Sequence, residues 1–400
     1  MNVSEDRTWV TILILTIACG VIVGNIYTCQ PLLHAIAVDF GVPEKIASAV
    51  AVATQIGYAC GILLLVPLSD VADPKTFVRW LIGLTFLGLL AATAAPNIAV
   101  LTVASACLAL TTVVPQVLIP LSMSLVSPER RGRTVGTLTL GLVLGILLSR
   151  TVSGILAEYS GSWRTSFAVS SISTLVLFFA LPPFLKNGQA PAQPVGYFSL
   201  LRSIPPLLVH RPLLLSMGMN FLVFGAFSAF WATLAFHLAS PAFLLGPAAA
   251  GLFGLWGAPG TLIAPQVGRI VDRVGSNAIN AAAFAAILVC FILALTLGSH
   301  SIPGLVIAVN LLDFGVQSGQ VANQSRIFAI APEFRGRLNT IYMFTTFSGG
   351  AIGAMGGALA WTNFGWTGVC TMGIILVCLA AVLLGVAHII GARRQAYASF

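Results

Sequence analysis

The chain has 400 residues, of which 58% are hydrophobic and 8% charged. A soluble domain carries about 25% charged residues, so a soluble globular fold is excluded, and no run of short alternating segments supports a membrane β-barrel. The net charge of +8 is spread over short loops, which argues against a nucleic-acid-binding face.

Apolar runs long enough to cross a bilayer recur from end to end. The expected fold is an all-α membrane protein with twelve transmembrane helices, near residues 8–30, 44–68, 75–95, 98–126, 134–160, 165–185, 212–238, 245–269, 277–298, 302–330, 338–364 and 366–391. The first run follows Glu5, Asp6 and Arg7; its length and the eleven runs after it favour an uncleaved helix over a leader. With a cytoplasmic N-terminus, fifteen Lys and Arg fall inside, against only Lys45 and Arg164 outside. That asymmetry predicts a multi-pass plasma-membrane protein with both termini in the cytoplasm. Its short loops favour a bacterial inner membrane.

Polar residues within spans are costly against lipid, so they should face one another, a bundle interior or a hydrated path. In the first span Tyr27, Gln30 and His34 recur at helical spacing beside Asn25. His34 sits near the outer end, where an exposed or capping histidine is the simpler reading. The fourth span holds Thr111, Thr112 and Gln116, with Pro115 and Pro120 interrupting it. The fifth contains Arg150 and the small-residue pair Gly141 and Gly145. The seventh shows Asn220, Phe224, Phe227 and Trp231 on one face. Glycines and prolines crowd the eighth from Gly251 to Pro265, as in a bendable helix.

The tenth span carries the strongest pattern. Asn310, Asp313, Gln317, Gln320 and Gln324 follow at three, four, three and four residues, which makes one polar stripe on a helix. Arg326 lies about 220° around the helix from Asp313, so it reads as structural, with the acids near Asp70, Glu129 or Glu333 as expected partners. Gly349, Gly353 and Gly357 mark close packing of the eleventh span. Asp313 and Arg150 lie eleven and ten residues from the outer ends of their spans, hence at similar depth. They are candidates for a charge pair, or for two groups facing one hydrated cavity; protonation of the acid would couple proton movement to rocking. A static bridge, or separate partners, is the alternative. The seven cysteines all fall in apolar runs, without CxxC spacing, and read as packing residues. No metal site is suggested.

The two halves repeat. Asp70 and Asp272 are 202 residues apart, PERRGR and PEFRGR begin 204 apart at Pro128 and Pro332, and Trp163 and Trp366 are 203 apart. A duplication follows: residues 1–185 as one six-helix bundle, 186–211 as a cytoplasmic linker, and 212–400 as a second six-helix bundle. The linker opens as a flexible polar stretch, KNGQAPAQPVG, and continues as a surface segment, YFSLLRSIPPLL.

GRIVDRVG, from Gly268 to Gly275, resembles the G-x-x-x-D-R-x-G signature loop of the major facilitator superfamily. In it Gly268 would allow close helix approach, Asp272 would face a helix N-terminus, and Arg273 would pair across the cytoplasmic face. The first-half copy departs from the pattern: Asp70 and Lys75 remain, while Val66, Val71, Asp73 and Pro74 stand where glycine, arginine, glycine and arginine are expected. Arg131, Arg133, Arg335 and Arg337 of the repeated PERRGR and PEFRGR loops join this gating set. NIYTCQPLL, ATQIGYACG, GLVLGILLSRTVSG, NLLDFGVQ, NQSRIF and FGWTG resemble the branch near drug:proton antiporters and sugar-efflux permeases.

The resemblance implies a cavity lined by the first, fourth, seventh and tenth spans. The expected solute contacts are then Tyr27, Gln30, Gln116, Asn220, Phe227, Trp231, Asn310, Gln317 and Gln320, with Asp313 and Arg150 as the charge pair. The expected function is alternating-access transport of a small organic solute, driven by exchange for protons, by a monomer without a cofactor. Proton-coupled uptake, or a channel or sensor on this scaffold, is the alternative. The branch's arginine in the fourth span is missing here, so coupling is not carried over through it. No HExxH motif, clustered Ser/His or Asp pair, or ATP-binding GxxxxGK[ST] loop occurs, which argues against an enzyme or ATP drive.

Overall fold

The computed structural model describes residues 3–127, 130–185, 196–262, 264–331 and 334–398. Helices account for all the regular structure described. They are α1 (Val3–Tyr27), α2 (Leu33–Phe40), α3 (Glu44–Ala47), α4 (Ala49–Leu65), α5 (Pro74–Thr93), α6 (Ile98–Thr111), α7 (Val114–Ser122), α8 (Arg131–Ser160) and α9 (Trp163–Ala180), then α10 (Tyr197–Arg202), α11 (Arg211–Ala239), α12 (Pro247–Trp256), α13 (Ala258–Leu262), α14 (Ala264–Val274), α15 (Ser276–Leu295), α16 (Ile302–Phe328) and α17 (Arg335–Ala398).

Ten stretches of the described residues are long and apolar enough to cross a membrane, where the sequence leads one to expect twelve. Two physical causes account for the difference. The span expected at 245–269 is cut into α12, α13 and α14, since Pro259 has no N–H and its ring crowds the preceding turn. The last two spans run on as one element, α17, broken only at Gly365, whose φ of 60° and ψ of −150° are not helical. No other residue type reaches that backbone region without strain.

Local chemistry starts and stops the helices. Asp73 accepts a hydrogen bond from the Thr76 amide ahead of Pro74, and Asn97 does the same for Val100. Ser162 and Ser301 cap α9 and α16. Each satisfies an amide that has no partner inside its own helix. Gly41 and Gly161 close α2 and α8 in the left-handed conformation.

The described chain forms two compact units. One comprises Met1–Arg202 with Leu234–Leu255, and the other Ser203–Thr233 with Trp256–Phe400. In the first unit α1 packs on α8, α4 on α6, and α5 on α6 and α9. Thr151 of α8 donates to the Gly251 carbonyl of α12 at 2.9 Å. In the second unit α15 packs on α16 and α17, and α16 on the broken α13 and α14.

Both units use the same close crossing. In the first, Gly145 of α8 lies against Gly20 of α1; in the second, Gly353 of α17 lies against Gly225 of α11. A methyl on Gly145 would overlap the Gly20 carbonyl, and one on Gly353 the Gly225 carbonyl. Backbones brought this near gain dispersion along their whole contact, which is the main source of helix association where lipid removes the hydrophobic drive.

Gly145→Val and Gly353→Val should each destabilise the protein by about 1–3 kcal/mol or more through overpacking. A lowered thermal unfolding midpoint in detergent checks this. Gly136→Ala should leave the midpoint in place or raise it, since nothing lies within 4 Å of the added carbon.

Candidate functional site

In the first unit, three residues that the sequence singles out separately converge. The α1 helix ends at Tyr27, and the chain re-enters a short 3-10 turn at Gln30–Leu32 with Pro31 inside it. This turn swings Gln30 off the α1 face and toward α8. Arg150, only 1% exposed, donates from Nε to Gln30 Oε1 at 2.8 Å. Its guanidinium carbon stands 4.8 Å from the centre of the Tyr27 ring. A charged donor on an amide oxygen and a cation against a π face are both strengthened by removal from water.

Gln116 joins from the interrupted fourth span. Pro115 has no N–H, so α6 stops at Thr111 and α7 begins anew at Val114. Gln116 Nε2 then donates to the Tyr58 hydroxyl at 3.4 Å. Tyr58, with Thr54 one turn earlier on α4 beside the Cys29 thiol, belongs to this cluster and is not among the expected residues. Its signal was the four-residue spacing of Thr54 and Tyr58, hidden in a run of small apolar residues. Asn25 points elsewhere and donates to Thr174 of α9 at 3.2 Å. His34 meets Glu44 at 2.9 Å, both side chains partly exposed, in line with a surface role.

In the second unit the polar stripe of the tenth span, on α16, divides among several neighbours. Asn310 is inserted into the break of the eighth span. Its Nδ2 donates to the Trp256 carbonyl at 2.8 Å, and its Oδ1 accepts from the Gly260 amide at 3.1 Å. Those two backbone groups would bond to each other in an unbroken helix; the asparagine amide stands in for that bond. Asp313 is 4% exposed and lies within electrostatic reach of the Cys290 thiol on α15. Gln317 and Gln320 are half-buried. Gln324 donates to Asn339 of α17 at 3.3 Å.

The α11 face is an aromatic ladder. Phe224 and Phe227 stack with centroids 5.2 Å apart, Trp231 follows at 6.2 Å, and Phe347 meets Phe224 edge-on. All four are buried. Asn220 donates to Thr346 of α17 at 2.6 Å, an interhelical bond of the kind that holds membrane bundles. Among the described residues the partners of Arg326 are the neutral side chains of Ser216, Asn277 and Asn323. The expected link to the loops of Asp70, Glu129 or Glu333 rests on side chains that lie outside the described residues.

The signature loops are partly legible. The side chains of Asp70 and Asp272 lie outside the described residues. Arg273 is exposed. Gly268 is not at a close crossing: a carbon added there would meet only Val321, at 3.9 Å, which is ordinary contact. Its expected packing role is therefore corrected. Arg131 and Arg335, at matching places in the repeated loops, do matching work. Arg131 donates to the Met123 carbonyl and Arg335 to the Phe328 carbonyl, both at 3.2 Å. Each cation so satisfies a carbonyl left open where a helix ends. Arg337 stacks on Phe334 with 5.3 Å to the ring centre, and Arg133 is exposed.

The profile of the Major Facilitator Superfamily matches residues 15–354. The chain belongs to the major facilitator superfamily. It is 37% identical to a protein of Escherichia coli named as the uncharacterized transporter YgaY, over 90% of this chain and 91% of that one. It is 31% identical to a probable transporter of Streptomyces coelicolor, over 90% of this chain and 83% of that one. Among solved structures, the nucleoside transporter NupG superposes with a TM-score of 0.76 at 13% identity, covering 94% of this chain and 98% of that one. Membership makes this a multi-pass membrane protein, and the solved neighbour confirms the superfamily fold.

Removing the Asn310 amide should leave the Trp256 carbonyl and Gly260 amide without their bridge. Asn310→Ala should cost about 1–2 kcal/mol, while Gln317→Ala should stay within about 0.5 kcal/mol. Thermal unfolding of the two variants in detergent measures the difference.

Proposed function

We propose that this chain is a secondary active transporter that exports a small organic solute in exchange for protons. The observation that carries this reading is the cluster of Tyr27, Gln30, Gln116 and Arg150, a polar knot built deep within long apolar helices. Such groups are costly in a membrane and persist where they meet a ligand or a moving charge. Rocking of two six-helix halves, 1–185 and 212–400 joined through 186–211, would alternate access to the solute. The family likeness and the relatives named as transporters support the class of activity. Export rests on the likeness of NIYTCQPLL and its companion segments to the antiporter branch.

In this reading Tyr27, Gln30 and Gln116 in the first half, and Gln317 and Gln320 in the second, solvate the solute. Phe227 and Trp231 supply an apolar wall. That mix of amides and rings suits an amphipathic or aromatic compound. Asp313 is the proton-binding group and Arg150 the fixed cation of the same transport cycle. Arg131, Arg133, Arg335 and Arg337 steady the helix ends at the cytoplasmic side, with Asp70, Asp272 and Arg273 as their companions in the signature loops. Asn310 takes a different part: it braces the broken helix rather than the solute.

The test is solute flux across reconstituted vesicles, from a panel of compounds, with and without an imposed pH gradient. The gradient should accelerate export by the unaltered protein. Asp313→Asn should hold flux at the rate seen without a gradient, while solute exchange at equal pH continues. Full gradient-driven flux in Asp313→Asn would sink the proton role, and flux indifferent to any gradient in the unaltered protein would favour a channel.

A further inference from the structure

A groove of about 590 Å³ runs between α15 and α17 on the second unit, apart from every residue assigned to the solute. Its walls are lined by small side chains, Ala278, Ala281 and Ala285 on one helix and Ala381 and Gly385 on the other. From Asn277 at one end to Leu288 at the other it extends about 16 Å along α15 at 1.5 Å per residue. One leaflet of hydrocarbon is about 15 Å deep, so the groove matches a single acyl chain lying along the bundle.

The two ends differ. Leu288 and Val377 make one end apolar, while Asn277 and His388 make the other polar. Arg326 does not line the groove but is bonded to Asn277, which does, its Nη2 donating to Asn277 Oδ1 at 2.6 Å. Its other acceptors, Ser216 Oγ and Asn323 Oδ1 at 3.2 Å, are also neutral. Hydrogen bonds to neutral oxygens orient a guanidinium without cancelling its positive charge, and among the described residues no carboxylate is paired with it. Arg269 and Arg273, both exposed, precede the start of α15 with Asp272 between them, so this stretch adds one net positive charge at that end. An apolar trough that ends under uncancelled positive charge is complementary to an amphiphile with an anionic head.

We propose that this groove seats one anionic phospholipid, its acyl chain along the alanine wall and its phosphate at Asn277, His388 and Arg326. The lipid phosphate would complete the charge of a network that ties α11, α15 and α16 together, so occupancy would stiffen this end of the second unit.

Native mass spectrometry of the purified protein, titrated with phosphatidylglycerol or with phosphatidylcholine of identical chains, tests the proposal. One saturable phosphatidylglycerol per chain is expected, bound several-fold more tightly than phosphatidylcholine. Arg326→Gln should reduce that preference about fivefold, the effect of one basic residue near a lipid surface. Ala281→Phe, which fills the groove from an exposed position, should abolish saturable binding without lowering the unfolding midpoint in lipid-free detergent. That variant keeps the test decisive if Arg326→Gln does not fold. Equal binding of the two lipids, undiminished binding to Ala281→Phe, or a dimer that Ala281→Phe dissociates in the absence of lipid would each overturn the proposal.

Discussion

A bilayer offers no water to a backbone amide, so every interruption of a membrane helix must be satisfied from within the protein. The eighth span shows how this constraint shapes the rest. Pro259 and its neighbouring glycines break the helix, and the break stands because the Asn310 side chain occupies the gap between the Trp256 carbonyl and the Gly260 amide. The asparagine in turn fixes how α16 lies against α13, where Gly260 permits backbone contact with Asn310. The broken span is thus tied to the helix that bears Asp313, one turn farther along. A break bridged this way has a defined geometry, which a run of glycines alone would not provide.

The duplication is visible as repeated physics rather than repeated residues. Arg131 and Arg335 close carbonyls at the ends of equivalent helices, and glycine pairs at equivalent crossings let α1 meet α8 and α11 meet α17. Elsewhere the copies have diverged. Trp163 donates its indole N–H to Asp39, whereas Trp366 donates to the Ala294 carbonyl. The landmarks share a sequence offset while their partners differ. A motif therefore transmits a structural place more faithfully than it transmits a contact.

Much of the fold was legible from composition, because membrane-length apolar runs have few alternatives. The exceptions were spans whose breaks depend on backbone chemistry: the segmented eighth span, and the single long element carrying the last two. At the site, periodicity picks out Tyr27 and Gln30 and an in-span charge picks out Arg150, without revealing that they meet, since their contact depends on a 3-10 turn at Pro31 and not on one helical face. The stripe of α16 was read as a surface toward one cavity. Spacing alone ignores which neighbour each residue reaches, and Asn310, Asp313 and Gln324 reach three different ones. Tyr58 is hard to read from the sequence because its one periodic companion, Thr54, is too small to stand out in a run of alanines and glycines. The neutral side chains that Arg326 meets come from three separate segments, and such partners leave no charge pattern in the sequence.

The two buried ionisable residues are not equivalent in what they can do. An arginine does not lose its proton in a protein, and Arg150 is further held by Gln30 and Tyr27. Its charge and its position are both fixed. A buried carboxyl is different, since desolvation and nearby charges set opposing preferences for its proton. In the proposed cycle Asp313 is the member whose state would follow the surrounding proton activity, and it lies on the helix that also braces the broken span. In that proposed cycle protonation would change the cost of burying the group. A single titration on α16 would then act on the neighbouring broken span without a motion of the arginine cluster itself.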